Sequence, residues 1–249
     1  MNDYYKKMIA DEFITCVQNT IHRMEGEETY RPFHAALLSE EALFWSRFER
    51  SFSTSFGQRV IEEISRIAAL SGGADDACHQ KETYVEMDVG YLNAIDDHIQ
   101  SLRDHRGHRD WESSLNEVKS ARKTGHTHKV RVISDLWWTK EGINHYVSIK
   151  TVKPNIDQTA VAKKDILTLT LDDPQCHAYF GLYYNPYGEN KLSYAHNPPM
   201  GIFDFRHDDV VLIGREYWDT LGGDGCYDEI LNIAKEVGRK TRRMIMKMR

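Results

Sequence analysis

The spacing of apolar residues changes once along this chain, and the change limits what it can fold into. In the first hundred residues Tyr5, Met8, Ile9, Phe13, Val17 and Ile21 recur at three-to-four spacing, as do Val60, Ile61, Ile64, Ile67 and Ala68 after Ser55-Phe56-Gly57. That period belongs to helices buried along one face, and further helices are expected at 91–103 and 111–123. From His128 the texture becomes alternating: Val130, Val132 and Leu136 are interleaved with Arg131 and Asp135, and the polar turn Thr139-Lys140-Glu141-Gly142 leads into His145–Lys150. This reads as a β-hairpin. A helix over 157–167, strands at 177–184 and 210–213, a glycine-rich turn at 221–226 and a last helix complete the order. Helices followed by hairpin, helix, strand, strand and helix predict an α/β sandwich around a mixed sheet.

No repeat, low-complexity tract or linker interrupts the 249 residues, so a single domain over 1–249 is expected, with 1–50 a helical N-terminal region and 51–249 the core and C-terminal helix. At 41% hydrophobic and 11% aromatic the chain is too apolar for a disordered tail. It lacks an apolar run of about 18 residues and an apolar leader, which reads as a soluble cytoplasmic protein with no membrane partner. Cys16, Cys78, Cys176 and Cys226 form no C-x-x-C pair, so neither a disulfide framework nor a zinc ribbon is expected.

Net charge is −6, yet residues 1–100 carry −9 and the remainder +3. The basic surplus concentrates in Lys119–Arg131, with five Lys/Arg and no acid, and in Lys235–Arg249, with seven against Glu236. Either stripe can follow phosphates, and either can be an ordinary solvated surface.

The chemistry lies in the hairpin. Asp135 sits near the end of one strand and Lys150 on its partner. Side chains alternate along a strand, so Ser148 and Lys150 share a face while Ile149 points to the other. A carboxylate, an oxygen donor two residues before a lysine and the Ile149 carbonyl between them would suit a hard divalent cation, for which Mg2+ is the natural occupant. Such an ion activates water and neutralises charge at a phosphodiester, with the lysine orienting the water.

The pattern Asp135…Ser148-Ile149-Lys150 resembles the PD-(D/E)XK nuclease motif. More specific are Ile149–Gln158 with Ala162-Lys163-Lys164-Asp165, Ser53–Gln58 ahead of Glu62 and Glu63, and Ile213-Gly214…Trp218…Gly222-Gly223…Tyr227. In this order they resemble the TdeIII-type group of type II restriction endonucleases. The resemblance implies a restriction endonuclease-like core, a central mixed sheet flanked by helices. It also implies Mg2+-dependent cleavage of double-stranded DNA at a short palindrome of the GGNCC kind, a homodimer, and a cognate methyltransferase. One departure stands out: Ser148 occupies a position where the motif prefers an acid. Some nucleases of this fold draw the missing carboxylate from a neighbouring helix. Glu63, nearer the apolar stripe of its helix than Glu62, is the geometric candidate there, and Asp157 and Asp165 are sources on the helix after the lysine. The expected catalytic set is Asp135, Lys150, Glu63 and Ser148, with metal held by Asp135, Glu63 and Ile149.

Lys153, Asn155, Gln158 and Lys163 lie just past the catalytic strand, and Lys129 and Arg131 on the hairpin, where a duplex would pass. These are the expected DNA contacts. A turn at Pro154-Asn155 with Asp157 capping the next helix is the structural alternative. Tyr179, Phe180, Tyr183 and Tyr184 are expected to fill core rather than stack on bases. His105/His108 and His126/His128 lack the further ligands a zinc site needs. Two other functions remain open: a DNA-binding module on a decayed nuclease scaffold, marked by Ser148, and a repair or structure-specific nuclease of the same fold.

Overall fold

The computed structural model describes residues 1–26, 30–197 and 199–247. The Gln58 side chain, in the Ser53–Gln58 motif, and Met248 and Arg249 of the basic tail lie outside the described residues.

Helices come first: α1 (Asp3–Gly26), α2 (Pro32–Leu37), α3 (Glu40–Ser55) and α4 (Ile61–Ser71). Between α3 and α4 the backbone stays helical through a π-turn at Phe56–Val60, where Ile61 N–H bonds the Phe56 carbonyl, so α3 and α4 form one interrupted rod. Then follow β1 (Asp76–Asp88), α5 (Val89–Arg103), α6 (Trp111–Lys119), β2 (Thr127–Lys140), β3 (Ile143–Lys150), α7 (Ile156–Asp172), β4 (His177–Leu182), β5 (Val211–Ile213), α8 (Arg215–Gly222) and α9 (Cys226–Met246).

Among the described residues the strands form one mixed sheet in the order β1-β2-β3-β4-β5, antiparallel through β3 and parallel from β3 to β5. One face is covered by α1, α4, α8 and α9, around Ile9, Ile61, Ile64, Leu136, Val147 and Tyr217. The other is covered by α5, α6 and α7, around Ile95, Leu102, Val132, Ile166 and Phe180. This is the expected sandwich, with the helical N-terminal region in place.

The first hundred residues hold one element the helical reading missed. β1 pairs with β2 over its whole length, from Asp76↔Thr139 to Asp88↔Thr127. Its alternation (Tyr84 out, Val85 in, Glu86 out, Met87 in) is short and polar-rich, so it resembles a solvated helix face until a partner strand covers it. β3 pairs with β2 only from Leu136 to Lys140, so the rest of the β1–β2 ribbon extends past the sheet. Asp88 fastens the far end: its carboxylate accepts from the N–H groups of Thr124, Gly90 and Gly125, which hold its pKa down to about 2. The helix expected over 111–123 stops at Lys119.

Gly181, on β4 beside Ile149, is required by packing. A Cβ there would meet Tyr217 Cε2 at 2.6 Å and Val147 Cγ1 at 2.8 Å. Tyr217 is fully buried, and its hydroxyl is 2.6 Å from Ser65 Oγ on α4. Gly181→Ala overpacks this contact and is expected to cost about 1–3 kcal/mol, read as a lowered urea midpoint with unchanged m-value.

Candidate active site

The hairpin register places Asp135 beside the end of β3. Its Oδ2 accepts two hydrogen bonds, from the Ile149 N–H at 2.7 Å and from Lys150 Nζ at 2.8 Å. Both side chains are about one-fifth exposed, 20% for Asp135 and 21% for Lys150, so the pair is reachable from solvent yet held. Ile149 is buried on the α4 side, while Ser148 and Lys150 are half-buried on the strand's other face.

Two helices bring further carboxylates. On α4, Glu62 is linked to Asp135 through Gln80 of β1, whose Nε2 lies 3.2 Å from Glu62 Oε2 and 3.4 Å from Asp135 Oδ1. Gln80 has φ 53°, a left-handed backbone that turns its side chain into this gap. Burial raises the Glu62 pKa, the amide donated by Gln80 lowers it, and the charge on Asp135 raises it further. From α7, Asp165 is pushed up to about 6 by burial, with the Lys150 and Lys164 charges opposing and the Asp135 charge adding.

Glu63 does not face this group. Its two oxygens receive Arg66 Nε at 2.9 Å and Nη2 at 2.6 Å, with His79 Nε2 at 3.8 Å. The helical wheel failed here because the buried arc of α4 is wider than its apolar stripe. Ser65 and Ala69 are buried too, and they extend the arc toward Glu62. A buried serine is invisible to a hydrophobic count, and its partner Tyr217 lies 152 positions away. Tyr217 and Gln80 are the neighbours of the site that sequence reasoning missed; recognising β1 would have exposed Gln80.

Asn155, not Asp157, caps α7. Its Oδ1 accepts from Gln158 N–H at 2.8 Å, and Gln158 Oε1 accepts from Asn155 N–H at 3.2 Å, a reciprocal capping box. Asp157 instead pairs with Arg103 at 2.8 Å. Lys153 is exposed, with Nζ 5.7 Å from the Tyr187 ring centre. Lys129 lies 4.7 Å over Tyr84 and Arg131 pairs with Glu82, all on the outer face of the β1–β2 ribbon. Phe180 is core, whereas Tyr184 is 41% exposed.

Lys163 contradicts its expected place on DNA. It is fully buried, its Nζ donating to the carbonyls of Arg109 at 2.6 Å and Ile202 at 2.7 Å. It ties α7 to the loops before α6 and after β4.

Among the described residues no three His, Cys, Asp or Glu side chains converge as a ready-made metal cage. The donor chemistry at Asp135 and Glu62 still fits a hard cation. Two carboxylates meet across one neutral amide, and Mg2+ is held in proteins by one or two carboxylates with water completing its shell.

A mixed sheet carrying Asp135 and Lys150 on adjacent strands, with acids on both flanking helices, is the framework of a restriction-type nuclease. Comparison with known proteins agrees. The model of the HinfI family of type II restriction endonucleases matches residues 1–238. The chain is 27% identical over 256 residues to the type II restriction enzyme HgiCII of Herpetosiphon aurantiacus, covering 96% of this chain and 92% of that protein. It is 29% identical over 259 residues to HgiBI and to HgiEI of the same organism, with the same coverage. The chain belongs to the HinfI family of type II restriction endonucleases, site-specific deoxyribonucleases that act on double-stranded DNA. The restriction endonuclease resemblance and the α/β core are both borne out.

The buried Lys163 makes stability depend on pH. Burial lowers its pKa to about 7, against the pull of Asp208, Asp110 and Glu117. Between pH 7 and the ordinary lysine range the unfolded chain binds the extra proton, so this group favours folding more as pH rises. Stability measured by urea denaturation is expected to climb more steeply from pH 7 to about 9 in the unsubstituted protein than in Lys163→Met.

Proposed function

We propose that this protein is a Mg2+-dependent endonuclease that cuts both strands of a short palindrome in unmethylated DNA. The site is of the GGNCC kind, as the resemblance read from the motifs implies. The observation that carries the catalytic assignment is the double hydrogen bond from Ile149 N–H and Lys150 Nζ to one oxygen of Asp135.

Asp135, Glu62 and the Ile149 carbonyl would hold the metal. When bound, the ion supplies an activated water and charge neutralisation at the scissile phosphate. Lys150, aimed by Asp135, donates to the attacking water and steadies negative charge growing on the phosphate. Glu62 supplies the carboxylate absent at Ser148. Gln80 holds Glu62 and Asp135 at working separation before substrate arrives, and Asp165 sets the charge around Lys150 from the far side. Ser148 remains a neutral neighbour of the ammonium. Lys153 beyond the catalytic strand, with Lys129 and Arg131 on the ribbon, would meet backbone phosphates. Asn155 and Gln158 spend their side-chain oxygens on the capping box and retain only their amide donors for DNA.

The whole chain acts as one nuclease domain in this reading. A palindrome is matched most simply by a two-fold pair, so the active species is a homodimer. A methyltransferase of the same specificity protects the host's own DNA. No helix among the described residues is long and apolar enough to cross a membrane; we place the enzyme in the cytoplasm because its proposed substrate is DNA.

Incubating the purified protein with long, sequence-diverse unmethylated DNA is expected to give discrete bands with Mg2+ and none with a chelator, and the sequenced ends give the site. Asp135→Ala and Lys150→Ala are each expected to lower the cleavage rate on the order of 10³-fold, while a salt-sensitive mobility shift persists. Retained cleavage by Asp135→Ala would remove the metal assignment. A shift with no cleavage by the unsubstituted protein would favour a decayed binding module.

The two glutamates are separable. Glu62→Gln is expected to lose about 10²-fold or more in cleavage rate. Glu63→Gln, which only frees Arg66, is expected to lose far less, and the opposite order would return the acid to Glu63.

A further inference from the structure

Four of the nine Lys/Arg in the first hundred residues, Arg23, Arg31, Arg47 and Arg50, line one open cleft of about 370 Å³ between the end of α1 and the length of α3. This half of the chain carries −9, so the concentration is not a reflection of composition. Among the described residues no carboxylate lines the cleft, and no ion pair to any of the four arginines is seen. Elsewhere Arg66, Arg103, Arg106, Arg131 and Arg215 are each matched to an Asp or Glu.

The cleft is also organised. Arg23 is fixed by Thr20 and by Ser51, whose Oγ accepts from Arg23 Nε at 3.1 Å. Arg47, Arg50 and Thr54 recur at the spacing that puts residues on one side of a helix. Guanidinium groups lining one cleft repel one another, and a phosphate, which they grip in bidentate fashion, is a ligand that relieves them.

The position of α3 says which phosphate. α3 and α4 form one rod, and α4 carries the proposed metal ligand Glu62 in its first turn. At about 1.5 Å per residue, Thr54 to Arg47 lie about 12 to 22 Å along that rod from Glu62. Along B-DNA, at about 3.4 Å per step, this is about 4 to 7 base pairs from the cut. We propose that the α1/α3 cleft binds the DNA backbone flanking the recognition site, a contact outside the palindrome that adds affinity independent of sequence. The proposal rests on the reading of this chain as a double-strand DNA endonuclease.

The test is a length-by-substitution comparison in metal-free buffer. Arg47→Ala/Arg50→Ala is compared with the unsubstituted protein on cognate duplexes carrying about 3 or about 12 base pairs on each side of the site. On the long duplex the double variant is expected to bind about tenfold or more weakly, with the slope of log K against log salt reduced by about 1 to 2. On the short duplex the penalty disappears. Arg47→Lys/Arg50→Lys, which keeps the charge, is expected to restore most of the salt slope on the long duplex.

An equal loss on both duplexes, or no loss on either, overturns the flanking contact. A loss that the lysine variant does not recover in salt slope also overturns it, since it marks a structural role. If the unsubstituted protein binds neither duplex, it is the endonuclease reading that fails, and the cleft goes with it.

Discussion

One carboxylate oxygen holds the ends of β2 and β3 in place. Oδ2 of Asp135 takes a main-chain proton from Ile149 and an ammonium proton from Lys150. The first bond ties β2 to β3 just beyond the last regular pair at Leu136↔Val147. The second draws the lysine back along its own strand. Without this bond Lys150 would carry a long stem with several free rotamers. With it, the ammonium is placed before any DNA arrives, and such preorganisation lets a charged group act on a transition state without reorganising.

The rest of the sandwich keeps that oxygen where it is. Leu136, Val147 and Ile149 point into the layer under α4 and α8, so the site's backbone is anchored from beneath. Gly181 lets Tyr217 lie against β4, and Tyr217 reaches Ser65 on α4, one turn after Glu62. The proposed carboxylate on α4 is therefore positioned by a buried hydroxyl pair and a backbone gap that admits an aromatic ring. On the opposite layer, Lys163 fastens α7, and α7 carries Asp165.

What could be read in advance followed the physics of local signals. The hairpin was legible because Val130 to Lys150 alternate on both sides of a polar turn, and the pairing of Asp135 with Lys150 followed from that register. β1 was hidden because Glu82, Tyr84 and Glu86 face solvent on a ribbon covered on one side only. The helical wheel ranks Glu63 above Glu62 because it does not see Ser65, which enlarges the buried arc through a partner distant in sequence. Lys163 looked like a surface lysine beside Lys164, yet its two acceptors are main-chain carbonyls, which no side-chain pattern announces. The capping box of Asn155 and Gln158 was written in the sequence as a polar pair three residues apart, but Asp157 between them was the more familiar cap.

Past Leu136 the β1–β2 ribbon has no third strand; its inner side, with Val85, Met87 and Val132, packs under α5, α6 and α7, and Asp88 pins its far end. Only its outer side is left open, and that side begins beside the Asp135 carboxylate. Removing or adding one residue on each strand would turn every side chain to the opposite face, whereas a change of two on each strand restores the alternation. An even change on both strands would therefore alter how far the outer side of the ribbon reaches while Asp135 keeps its place.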